Sequence, residues 1–94
     1  MHERALMTDV VREIELIALQ EGASQVTLVG VRLGALSHFT PLHFVEHFID
    51  ASRGTIAEGA LIEAVMDEDL TDAAARDVVL ERIEIEVPDP VGAG

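Results

Sequence analysis

Residues 78–87, Val-Val-Leu-Glu-Arg-Ile-Glu-Ile-Glu-Val, alternate Ile83, Ile85 and Val87 with Arg82, Glu84 and Glu86. Successive side chains of a strand point to opposite faces, so this alternation predicts a strand with one buried and one wet side. Working back from it, residues 67–77, DEDLTDAAARD, are acidic and alanine-containing. They read either as a loop or as a helical turn opened at Thr71 or Asp72. Residues 60–66, ALIEAVM, read as another strand, preceded by a loop at Arg53-Gly54-Thr55 that Ile56 to Gly59 continue as a short turn. Pro41 suits the first turn of a helix that Thr40 caps and that runs to about Ala51, burying Phe44, Phe48 and Ala51, with Val45 beside them. The β-branched run QVTLVGVRL predicts a strand over 25–33, closed by Gly34 and a turn at Ala35-Leu36-Ser37. Residues 4–20 carry Leu6, Val10, Ile14, Ile17 and Ala18 at helical spacing, and Gly22 supplies the stop.

The order is helix-strand-helix-strand-strand. An α/β (α+β) fold follows, a three-stranded sheet packed by two helices, because that arrangement covers every apolar face. The last two strands are expected to be antiparallel neighbours, since their short connection cannot make a parallel crossover. Residues 1–87 form one domain in this reading, and 88–94, PDPVGAG, a disordered tail.

Composition narrows the function. Of the 94 residues 49% are apolar, with Phe39, Phe44 and Phe48 the only aromatics, so Val, Ile, Leu and Ala must build the core. Eighteen acidic against six basic side chains leave a formal charge of −12. Phosphate backbones and anionic membranes both require clustered Lys and Arg, so no nucleic acid and no membrane partner is expected. The chain has no Cys, which excludes disulfides, thiolate zinc sites and iron–sulfur ligation. With no secretory leader and no membrane-length apolar run, a cytoplasmic location is expected.

The strongest chemistry lies at Met1-His2-Glu3. A terminal amine, the His2 amide nitrogen and the His2 imidazole close fused chelate rings around one ion. Displacing an amide proton is costly, and square-planar Ni(II) or Cu(II) are the ions that compensate it. Glu3 offers a carboxylate or a further amide nitrogen, and Met1 should be retained, because its removal generally requires a small second residue.

Four further stretches share an order with a known family: Glu21-Gly22-Ala23, Val31 to Ser37 (VRLGALS), Arg53 to Ala60 (RGTIAEGA), and Arg82 to Glu86 (RIEIE). With the opening Met1-His2-Glu3 they resemble the HypA/HybF family of hydrogenase nickel-incorporation proteins. The resemblance implies a small α/β nickel domain with His2 as principal ligand, Met1 supplying its amine and Glu3 the neighbouring contact. It further implies transient Ni(II) cargo, a HypB-type maturation GTPase and the hydrogenase large subunit as partners, and no enzyme activity. One departure is large. Family members insert a zinc lobe with two CxxC-type pairs between the last two strands, where this chain has 67–77 and no Cys, so the zinc lobe and its zinc are expected to be absent.

His43 and His47, four apart, share one face of the second helix, and His38 precedes it; they are read as an auxiliary metal pair or as polar residues beside the buried phenylalanines. With Glu46 they match the HxxEH pattern of inverted zinc peptidases, rejected because such enzymes need a further distant ligand and a large cleft. Glu13, Glu15 and Glu21 read as a solvated helix face. Asp67, Glu68, Asp69 and Asp72 lack calcium-loop spacing and read as a solvated loop. Beside the nickel metallochaperone stands an alternative, a non-delivering HypA-like interaction module docking on a hydrogenase or a maturation GTPase. Uncovered sheet edges also allow a homo-oligomer.

Overall fold

A computed structural model describes residues 2–71 and 75–88, apart from the side chains of His2 and Glu3. Its elements are α1 (His2–Gln20), β1 (Gln25–Leu33), α2 (Pro41–Ala51), β2 (Leu61–Met66) and β3 (Val78–Glu86). The α+β order expected from the sequence is the order found. Both helices cover one face of the sheet, and α1 begins two residues before its predicted start. No helix among the described residues is long and apolar enough to cross a membrane.

The strand order is β2-β1-β3, which corrects one expectation: β2 and β3 are not neighbours. β2 lies parallel to β1 and β3 antiparallel to it. The α2 crossover turns the chain so that β2 runs alongside β1 in the same direction. The most apolar strand then takes the centre, and β3 reaches its free edge because residues 67–77 cross the end of β1 instead of closing a hairpin. Backbone bonds mark that crossing, from Asp67 N to Leu33 O (2.8 Å), Leu36 N to Ala75 O (2.6 Å) and Gly34 N to Asp77 O (2.9 Å).

Two bulges set the phase of the sheet. β1 pairs Val26 with Ile85 but then Leu28 with Glu84, leaving Thr27 unmatched; β3 pairs Arg82 with Gly30 but Leu80 with Val31, leaving Glu81 unmatched. Each extra residue reverses the alternation of its own strand. Val26, Val29, Val31 and Leu33 therefore all reach the core despite switching from even to odd positions, and Val78, Leu80, Ile83 and Ile85 do the same opposite them. The strand predicted over 78–87 thus alternates in two phases, and Val87 lies outside it and is exposed.

The core is completed by Met7, Val10, Val11, Ile14 and Ala18 of α1 and by Phe39, Phe44, Phe48 and Ala57. Leu6 and Ile17 are only partly buried, so the buried stripe is displaced from the predicted one toward Met7 and Val11. A helix end of defined geometry precedes β1. Gly22 adopts φ +70°, Gly22 N donates to Leu19 O (3.1 Å) and Ala23 N to Ala18 O (2.9 Å). This pair of bonds satisfies carbonyls that the last turn leaves open, and it requires a residue that tolerates the left-handed region.

Candidate metal centre

His2 and Glu3 lie in the first turn of α1; Met1 is outside the described residues. In a helix the first backbone N–H groups have no carbonyl four residues earlier to bond. The amide nitrogens of His2 and Glu3 are therefore not committed to the helix ladder. The direction of the chain positions this turn. A four-residue link joins the end of α1 to the start of β1, so α1 runs back against β1 and begins at the end of the sheet where β1 finishes. At that same end α2 starts and residues 67–77 cross.

The second histidine group lies on α2, whose start is set by its neighbours. Thr40 Oγ1 accepts from His43 N (3.2 Å) and Pro41 follows in the first turn, as the sequence predicts. Phe39, absent from the predicted core, is 2% exposed and packs edge-on against Phe44 with ring centroids 5.7 Å apart. It is the residue before the cap, and Phe44 is the fourth residue of the helix. That spacing is a hydrophobic staple and could have been found from sequence. The His43 and His47 rings are 4.4 Å apart between centroids at 63°, with Phe39 5.6 Å from His43. His47 lines an open groove of about 1210 Å³ between the helices, with Arg4, Thr8, Arg12 and Asp50.

His38 is exposed, with φ +67°. Among the described residues no three or more His, Cys, Asp or Glu are placed to hold one ion, so His38 does not complete a three-ligand set with His43 and His47. Glu13, Glu15 and Glu21 are exposed on α1, as a solvated face requires. Asp67 Oδ1 accepts from Asp69 N (2.9 Å) and Asp69 Oδ1 from Thr71 N (2.9 Å) and Thr71 Oγ1 (2.7 Å). These are successive side-chain turns of an exposed acidic loop.

Residues 1–71 match the family described as hydrogenase/urease nickel incorporation, metallochaperone, HypA. The chain belongs to the HypA family. It is 39% identical over 83 residues to the hydrogenase maturation factor HypA of Methylocella silvestris, covering 86% of this chain and 74% of that one. The HypA of Archaeoglobus fulgidus is 40% identical over 63 residues, 67% of this chain and 57% of its own length. A third HypA, from Dechloromonas aromatica, is 37% identical over 65 residues and is spanned to 58%. The chain thus spans between just over half and three quarters of these HypA proteins. The solution structure of the Ni metallochaperone HypA from Helicobacter pylori shares the fold, with a TM-score of 0.75 over 92% of this chain and 98% of that one, at 14% identity.

Proposed function

We propose that this chain is a nickel metallochaperone of [NiFe]-hydrogenase maturation, holding Ni(II) at Met1-His2-Glu3. The observation that carries this is the family match beginning at residue 1, joined to a helix that begins at His2. The amine of Met1, the amide and imidazole of His2, and a donor of Glu3 make a square-planar set. Such a site, built on the first turn of a helix, is open on both sides of its plane. Incoming ligands can replace the outgoing ones singly, which is what transfer requires. HypB-type maturation GTPase and the hydrogenase large subunit are the proposed partners, and the cytoplasm the proposed location.

Residues 1–87 form the nickel domain in this proposal. The zinc lobe of the family has no counterpart in the donor set available: residues 67–77 offer carboxylates, and the chain has no thiolate. Structural zinc is held by sulfur and imidazole, so a structural zinc site does not fit residues 67–77. A non-delivering interaction module is the second reading. It is favoured by the uncovered face of the sheet, where Leu61 and Val65 are 61% and 60% exposed.

The test is a Ni(II) titration of protein whose first residue is Met1, followed by absorption spectroscopy. A square-planar nickel band is expected, and it should disappear both in His2→Ala and when the Met1 amine is acetylated. A band that persists in both variants excludes the terminal site.

A further inference from the structure

We propose that His43 and His47 form a second metal site, a two-imidazole clamp for a borderline divalent ion such as Ni(II) or Zn(II). The two residues are one helical turn apart on α2 and each precedes a buried phenylalanine, Phe44 and Phe48. The phenylalanines fix the rotation of the helix about its axis, so both imidazoles emerge along one line at the border of the core. The Phe39 ring beside His43 restricts the plane of that imidazole.

The two rings are neighbours, with centroids 4.4 Å apart in an edge-to-face contact, so rotation about their side-chain torsions can bring a nitrogen of each to one ion at ~2.0–2.1 Å. Imidazole is a good donor for nickel, copper and zinc ions, and a formal charge of −12 concentrates cations around the chain. Water completes the coordination, so the clamp binds weakly and exchanges quickly.

The placement gives it a use. His47 faces the groove that Arg4 and Thr8 of α1 also line, at the end of the sheet toward which the first turn of α1 points. An ion held by His43 and His47 borders this groove, which Arg4 and Thr8 line from within the first two turns of α1. That use rests on the terminal nickel site; the clamp itself does not.

The two are separated by a chain whose Met1 amine is acetylated, which removes the terminal chelate and leaves α2 unchanged. Calorimetric titration with Zn(II) and with Ni(II) should still show one saturable equivalent. His43→Asn and His47→Asn should each weaken it at least tenfold, with circular dichroism showing the metal-free fold intact. In the unsubstituted acetylated chain, Zn(II) should shift the imidazole NMR signals of His43 and His47 ahead of those of His2 and His38. This last measurement stands even if a substituted chain does not fold. Absence of saturable binding, binding that survives both substitutions, or signal shifts at His38 or His2 alone would overturn the clamp.

Discussion

The connections on either side of β2 are similar in length and opposite in construction. Residues 52–60 are tied inward. Thr55 N donates to Ser52 O (3.0 Å), Glu58 N to Thr55 O (3.1 Å) and Ala60 N to Ala57 O (3.1 Å), while Val26 N reaches across to Ile56 O (3.0 Å). Thr55 Oγ1 donates to Ser52 O (2.6 Å) and accepts from Ala57 N (3.1 Å), and Ala57 is fully buried. Among the described residues, the backbone of 67–77 bonds to the end of β1 and the turn after it through Asp67, Ala75 and Asp77, to Leu33, Leu36 and Gly34. Asp67 and Asp69 accept from backbone within their own loop. One connection is part of the core, and the other is a bridge over the end of β1. A bridge held at both feet leaves its span free to vary.

If that contrast holds, substitutions in the first connection are costly. Ala57→Leu adds three carbons where no space is open, and overpacking of this kind should destabilise by about 2–3 kcal/mol in urea unfolding. Gly59→Ala comes next. Its φ is +82° and its added Cβ meets nothing within 4 Å. The cost is therefore backbone strain alone, about 1 kcal/mol by the same measurement. Neutral behaviour of Ala57→Leu would break the comparison, because it would make 52–60 as tolerant as a surface loop.

The contrast between these connections was only half legible in the sequence. RGTIAEGA was visible as a loop, and the burial of Ala57 within it was not, since burial in a loop depends on the strand it folds against. The same limit governed the sheet. Helix and strand periodicity is local, and five elements were found in their expected order. Which strands pair is a long-range choice, and placing β3 beside β2 failed for that reason. The phase shifts at Thr27 and Glu81 left a trace in the spacing of Val78, Leu80, Ile83 and Ile85. An unbroken alternation cannot pass from even to odd positions without an extra residue. Phe39 was readable through its distance from Phe44. At the metal end, chelate chemistry made His2 a candidate nickel ligand, and family resemblance made nickel binding the expected function. His38 was placed near the pair on α2 by sequence proximity, whereas the chain turns at it with positive φ and leaves it outside any three-ligand cluster.

The smallest expected effect tests the other connection, and with it the independence of the nickel end. Inserting a flexible segment between Thr71 and Ala75 that doubles the length of 67–77 should cost only ~0.6 kcal/mol, because closure entropy grows with the logarithm of loop length. The bonds from Asp67, Ala75 and Asp77 to the end of β1 would remain, so the register of β3 and the packing of α1 beneath it should not change. Urea unfolding should show a small drop in midpoint at constant slope, the sign that compactness is unaltered. The square-planar nickel band expected of the parent should persist at the same intensity. A loss of more than about 2 kcal/mol would mean that the span of 67–77 supports the core. A weakened nickel band with stability retained would mean that the bridge helps to build the metal site.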